Sequence, residues 1–160
     1  MAEFSIMPLA EKPELVDCCA AWSYGEWGSQ LSTRTLSKVY DDYKASINGD
    51  TLPVTWIALC ESKPAGMVRL KKNDHFERED LKPWLSSLYV HPRFRGKGLS
   101  EQLCDCAEDA AEHVYGYEQI YLFTATAEEL YERRGYKRIG NVIDPSGYYK
   151  DGKTLMMKEF

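Results

Sequence analysis

The chain has 160 residues, enough for one compact domain with its own core and too few for two ordinary ones, so residues 1–160 are read as a single domain. Apolar and charged fractions of 44% and 28% leave no segment biased enough to suggest disorder, and a formal net charge of -5 speaks against nucleic acid or an anionic membrane as partner. The opening MAEFSIMPLAEKPEL lacks the basic start and apolar run of a signal peptide, and no stretch approaches the ~18 consecutive apolar residues of a membrane span, so the expected location is cytoplasmic.

In chain order, Phe4 to Met7 reads as a short first strand. Pro13 opens a helix, at the first-turn position where its missing N–H costs nothing, and the helix is expected to run to about Trp22. Leu36, Val39, Tyr40, Tyr43 and Ile47 recur at helical spacing and predict a second helix, ended by Asn48-Gly49-Asp50. VTWIALCESKPAGMVRLKK reads as a hairpin turning at Ser62, Lys63 and Pro64. Asn73 to Lys82 is a charged connection, and Trp84 to Val90 is a strand stopped by Pro92. Leu99, Leu103, Cys106, Ala107, Ala110 and Val114 line one face of a third helix. QIYLFT is a strand, AEELYERR a short helix closed by Gly135, and YKRIGNV and TLMMKEF are the last two strands. The order β-α-α-β-β-β-α-β-α-β-β specifies an α/β (α+β) fold, a mixed sheet with helices on its faces.

Five cysteines, Cys18, Cys19, Cys60, Cys104 and Cys106, do not suit a disulfide framework and read as buried thiols. His75, His91 and His113 are isolated and lack metal-ligand spacing, so no metal is expected.

The stretch HPRFRGKGLSEQL carries most of the functional signal. It fits neither a Walker loop nor a G-x-G-x-x-G dinucleotide fingerprint, because Glu101 stands where the third glycine belongs. What remains is strand, then R-x-x-G-x-G, then helix. A helix N-terminus offers unpartnered N–H groups and partial positive charge, which suits a pyrophosphate. Gly96 and Gly98 let the backbone approach such a group, and Arg93, Arg95 and Lys97 add charge.

With YLFTATAEELYERRGYKRIG, this stretch makes the chain resemble the GCN5-related N-acetyltransferase (GNAT) superfamily from Trp84 to Gly140, the upstream element order fitting more loosely. The resemblance implies a fold with splayed central parallel strands and acetyl-CoA (coenzyme A) as donor. By it, Arg93, Gly96 and Gly98 hold the pyrophosphate with the amides of Arg95, Gly96, Lys97, Gly98, Leu99 and Ser100. The backbone of Leu88, Tyr89 and Val90 pairs with the pantetheine arm like an added strand. The family's N-x-x-A-x-x-x-Y pattern is matched by Thr124, Ala127 and Tyr131; Thr124 replaces the usual Asn and brings fewer hydrogen-bonding groups. Tyr131 stands where the family commonly has its general acid, and a phenol of pKa about 10 is of the right order to protonate a leaving thiolate. The base that frees the acceptor amine stays open among Glu77, Asp80, Glu26, His75, Ser86, Ser87 and water.

Two segments are expected to wall an acceptor pocket by the same analogy. WSYGEWG offers Trp22, Tyr24, Glu26 and Trp27, and IDPSGYYKDG offers Asp144, Tyr148, Tyr149 and Asp151. Aromatic and acidic groups together suit a cationic amine, either a small molecule or a protein amine. The reading is therefore an N-acetyltransferase, monomer or homodimer, acting by direct attack in a ternary complex. A catalytically silent acyl-CoA-binding module is the alternative, and a nucleic-acid binder built on HPRFRGK is disfavoured by the acidic remainder.

Overall fold

The computed structural model describes residues 3–28, 31–47 and 50–160. Its strands are β1 (Ser5–Pro8), β2 (Val54–Cys60), β3 (Lys63–Lys71), β4 (Trp84–Val90), β5 (Gln119–Thr124), β6 (Lys137–Val142) and β7 (Lys153–Glu159). Its main helices are α1 (Val16–Glu26), α2 (Leu36–Ala45), α3 (Leu99–Asp109) and α4 (Glu128–Arg133). Among the described residues no helix is long and apolar enough to cross a membrane.

The element order is the expected one, with local differences. Pro13 begins a short 3-10 turn, Pro13–Leu15, and α1 then continues to Glu26 rather than stopping near Trp22. Gly25 does not break it, because the Trp27 N–H still donates to the Ser23 carbonyl at 2.9 Å. Thr35 caps α2 by accepting from the Lys38 N–H at 3.2 Å. The expected stop at Asn48-Gly49 falls outside the described residues. The β2–β3 turn is Glu61–Ser62, with φ of 50° and 67°, the left-handed pair that matches strand twist. Lys63 and Pro64 already belong to β3, and the register slips between Ala58 and Leu59, where Pro64 could not serve a regular ladder. After α3 a π-turn, Ala110–Val114, adds a residue to the helical repeat, and Tyr115 N–H reaches back to the Ala110 carbonyl. That rotation leaves Val114 72% exposed instead of on the buried face, and Cys104 is more deeply buried than Cys106.

One sheet runs in the order β1-β2-β3-β4-β5-β7-β6. Every neighbouring pair is antiparallel except β4 and β5, which are parallel and meet at one register pair, Trp84↔Tyr121. Their ends beyond that pair diverge. In β4, Ser87 adopts φ 54° and the pairing with β3 jumps from Arg69↔Ser86 to Met67↔Tyr89, so two β4 residues face one of β3. This bulge reverses the side-chain alternation. Leu88 and Val90 therefore pack under α3, while Tyr89 packs with α1.

Each face of the sheet buries its own core. Leu99, Leu103 and Ala107 of α3 cover Val68, Leu70, Leu85 and Ile120, and Cys19 and Ala20 of α1 with Val39 and Tyr43 of α2 cover Ile57 and Met67. Gly66 sets the depth of α3: a Cβ there would lie 2.7 Å from the Tyr89 carbonyl and 3.1 Å from Leu99. Glu108, buried on α3, is a polar hub. It accepts from Arg134 Nη2, from the Tyr136 hydroxyl at 3.0 Å and from Lys158 Nζ at 2.7 Å. Glu108→Ala leaves Lys158 and the Tyr136 hydroxyl unanswered and Arg134 with Asp105 alone, and is expected to destabilise the fold by about 3–5 kcal/mol, the usual cost of breaking a buried ionic network. Urea unfolding measures it, and a loss below about 1 kcal/mol contradicts the assignment of Glu108 as the hub.

Candidate active site

The loop between β4 and α3 turns on two glycines. Gly96 and Gly98 have φ of 74° and 79°, and a Cβ on either would meet nothing within 4 Å. Open space beside left-handed backbone is what a ligand approaching the main chain requires. Gly98 is the N-cap of α3, which has no side-chain cap, so the first amides of an 11-residue helix face outward. Arg93 and Lys97 are exposed beside them. Arg95 is folded back, its Nε donating to the Val90 carbonyl at 2.9 Å and its guanidinium 5.9 Å from the Tyr89 ring. Leu88, Tyr89 and Val90 follow the bulge on the diverging part of β4, with no pairing to β5.

The opening between β4 and β5 leads into a cleft of about 580 Å³. Ser23, Glu26 and Trp27 from α1 and its end wall one side, and Phe123, Thr124, Ala127 and Tyr131 the other. Arg69 of β3, Ser86 and Ser87 of β4, and the loops around His75 and Tyr148 complete it. The Thr124 hydroxyl accepts from the Ala127 N–H at 3.0 Å, so it shapes the turn into α4 while its own proton can still be donated. Tyr131 is buried in the cleft wall, its ring edge-on to Tyr136 at 5.6 Å. Burial pushes its phenol well above the ordinary value, with Cys104 adding to the effect.

Of the residues expected to meet an acceptor, Glu26, Trp27, Asp144, Tyr148 and Tyr149 line the cleft. Trp22 and Tyr24 do not, because the longer α1 turns them onto the core, and the Trp22 ring packs at a tilt of 34° against Tyr89, 5.0 Å away. Glu77 is outside the lining as well. Its Oε1 accepts from the Ile143 N–H at 2.7 Å, while His75 Nε2 bonds the Ile143 carbonyl at 2.8 Å. The two residues thus grip both backbone groups of Ile143 and tie the loop after β3 to the loop after β6. His75 Nδ1 accepts from the Glu77 N–H, so Nε2 carries the proton and the ring has no free lone pair for a base. Asp80 is paired with Arg78 at the surface. Asp151 is exposed and outside the lining. Asp144 is buried and accepts from the Ser146 hydroxyl and the Tyr149 N–H. Burial would raise its carboxyl, but these donors hold it below the usual range.

The sequence reading missed the polar floor under α1 and α2. Arg69 is 1% exposed. Its Nε donates to Thr55 Oγ1 at 3.1 Å, its Nη1 to Asp42 Oδ2 at 2.7 Å, and its guanidinium lies 4.2 Å from the Tyr43 ring. Burial would raise the Asp42 carboxyl, but the charge and hydrogen bond of Arg69, together with the charges of Lys71 and Arg34, keep it below the usual carboxylate range. Arg34, Lys71 and Lys153 line the same cleft. The available signal was an arginine inside the apolar run GMVRL, at the parity of Met67 and not at a strand end.

The sequence matches the acetyltransferase (GNAT) family over residues 18–136. Solved structures share the fold. An aminoglycoside 6′-N-acetyltransferase complexed with coenzyme A matches at TM-score 0.75 and 16% identity, covering 97% of this chain and 96% of that one. A spermidine N-acetyltransferase chimera from Vibrio cholerae and hSSAT matches at TM-score 0.71 and 16% identity, covering 99% and 96%. The PaiA N-acetyltransferase of Thermoplasma acidophilum, in complex with coenzyme A, matches at TM-score 0.66 and 19% identity, covering 99% of both chains.

The grip on Ile143 makes a prediction independent of any ligand. Glu77→Ala removes a charge-assisted acceptor, so exchange of the Ile143 amide should accelerate about tenfold or more while the sheet amides keep their protection. Hydrogen exchange reads this directly, and an unchanged Ile143 rate would show that Glu77 does not secure the loop.

Proposed function

The chain belongs to the acetyltransferase (GNAT) family and is an acetyl-CoA-dependent N-acetyltransferase; we propose that it acts as a single domain, moving the acetyl group to a primary amine by direct attack within a ternary complex, with Tyr131 as general acid. The observation that carries this reading is the one-pair contact of β4 and β5, which leaves the edge of β4 unpaired between the Gly96–Gly98 cradle and the cleft that Tyr131 lines.

The residues present fit coenzyme A. The outward amides at the start of α3, with Arg93 and Lys97 beside them, suit the pyrophosphate. The backbone of Leu88 to Val90 is free on its β5 side for an extended amide-bearing chain. Arg95, which takes the Val90 carbonyl, would have to swing away, and that movement would bring its charge toward the phosphates. When bound, acetyl-CoA supplies an activated acyl group and a thiolate as leaving group.

The side chains then divide the proton work. Burial keeps Tyr131 protonated through neutral pH, so its hydroxyl holds a proton at the cleft wall. Ser86 and Ser87, with hydroxyls 3.3 Å apart, and the exposed carboxylate of Glu26 can orient an amine. With His75 and Asp80 engaged elsewhere, Glu26 or water takes the amine proton. A silent acyl-CoA-binding module would leave the tyrosine-lined cleft beyond the cradle without a use.

Gly98→Val should weaken acetyl-CoA binding about tenfold or more, because a β-branched side chain resists φ of 79° and fills the approach to the amides. Calorimetry on the folded variant measures this, and an unchanged Kd would sink the pyrophosphate assignment. Tyr131→Phe keeps the ring and its packing, so acetyl-CoA affinity should hold while kcat falls about 10²–10⁴-fold. Because burial raises the phenol above its ordinary value of 10.0, the wild-type rate should show no basic limb from Tyr131 below that pH. Wild-type kcat in Tyr131→Phe, with chemistry rate-limiting, would reduce Tyr131 to a packing residue.

A further inference from the structure

We propose that the acceptor amine also carries a carboxylate, recognised by Arg69 and Arg34 on the part of the cleft walled by α1 and β3. This rests on the acetyltransferase reading and adds the chemical class of the acceptor.

The argument starts from unmatched donors. Arg69 spends Nε on Thr55 and Nη1 on Asp42, and its Nη2 is buried without a partner. The Tyr43 hydroxyl, on the ring packed against the same guanidinium, is also buried and lies beside the Ser23 and Ser87 hydroxyls. Buried donors are nearly always satisfied. A guanidinium can only donate, so what answers Nη2 must be an acceptor. Arg69 lines the cleft and stands opposite Ser86 in the β3–β4 register, one strand from the edge where β4 leaves β5.

The charges of the cleft point the same way. Asp74 is held by Lys71 at 2.9 Å, Asp42 by Arg69, and Asp144 is saturated by its own loop with Lys153 3.9 Å away. Arg34 lines the cleft with no carboxylate within 4 Å among the described residues. The uncommitted groups are thus Arg34, the free half of Arg69, and the acid of Glu26. A plain polyamine would leave Arg34 and the Nη2 of Arg69 unanswered. An amine with a carboxylate answers both signs, and a planar carboxylate matches the guanidinium fork. Its source is a free amino acid or an acidic residue at the start of a peptide, and the experiment separates them.

The test uses the whole chain saturated with acetyl-CoA, thiol release as readout, and acceptors in matched pairs. One arm sets L-glutamate, L-lysine and L-phenylalanine against their α-carboxamides. The other sets short peptides beginning with Asp or Glu against the Asn or Gln versions. The carboxylate member of at least one arm should be preferred about 10- to 100-fold in kcat/KM, the scale of one charge-assisted hydrogen bond. Arg34→Gln and Arg69→Lys should erase that preference by raising KM for the carboxylate member alone. Arg34 is half-buried and outside the core, so Arg34→Gln decides the matter if Arg69→Lys does not fold. N-acetylated products of both arms, titrated into the coenzyme A-loaded protein, give a readout independent of turnover. Equal use of both pair members, equal losses for both in the variants, or no carboxylate probe reacting or binding overturns the inference; a water between Tyr43 and Arg69 would give the second result. Failure to bind acetyl-CoA in a separate titration overturns the parent reading and this inference with it, whereas acetyl-CoA binding without carboxylate preference overturns this inference alone.

Discussion

One register pair, Trp84↔Tyr121, holds the two halves of the sheet together, and the site depends on there being no second. Sheet backbone rarely goes without partners, because each unserved N–H or C=O inside a protein is costly. Here both flanks are firmly committed elsewhere. β4 is laddered to β3, and β5 is paired along its whole length with β7, from Gln119↔Glu159 to Thr124↔Thr154. The chain is effectively two sub-sheets joined at one end, so the gap is built in rather than a fluctuation. α3 bridges them. Its first turns sit on Gly66 and Leu85, while Glu108, further along, is tied to Arg134 and Lys158 on the β5–β7 side. The buried carboxylate is placed to fix the angle between the halves and so the width of the opening.

Charge is distributed against the overall balance. The chain is acidic, yet the β4–α3 loop carries Arg93, Arg95 and Lys97, and Arg34, Arg69, Lys71 and Lys153 line the cleft. Burying Arg69 would be prohibitive for an isolated charge. It is sustained by a carboxylate, a hydroxyl and an aromatic face from two elements: Asp42 and Tyr43 on α2, Thr55 on β2. That arrangement locks α2 onto the sheet. It also leaves one edge of the guanidinium uncommitted, which a purely structural buried ion pair would be expected to satisfy.

The order of elements, the strand Trp84–Val90, the strand Gln119–Thr124 and the glycine cradle were all legible, because each rests on a local signal: periodicity, a proline stop, or glycines before an amphipathic helix. The length of α1 was not, since WSYGEWG carries two glycines and no helical stripe; packing of Trp22 on Tyr89, a contact between residues far apart in sequence, accompanies the longer helix. Val114 was misplaced because a π-turn changes the period without changing composition. His75 and Glu77 read as candidates for the base within a charged connection, and only the loop after β6 shows them to be committed to Ile143. Arg69 was visible as an arginine within an apolar strand, but its meaning required Asp42, Thr55 and Tyr43 to be brought to it by the fold.

The bulge at Ser87 shows how one backbone irregularity separates two tasks. With regular alternation Leu88 would share a face with Ser86, crowding the polar floor with an apolar side chain, and Tyr89 would point under α3. The extra residue turns Leu88 and Val90 toward α3 and leaves Ser86 and Ser87 lining the cleft beside Arg69. It also increases the local twist, which carries the following backbone away from β5. The edge of β4 past the bulge is then available to a donor running along the strand, while the face before it is available to an acceptor from the α1 side. The two approach directions meet at the bulge, in the cleft that Tyr131 lines from the opposite wall. A residue at φ 54° that is not glycine carries some conformational cost, and at this position the reversal of alternation offsets it.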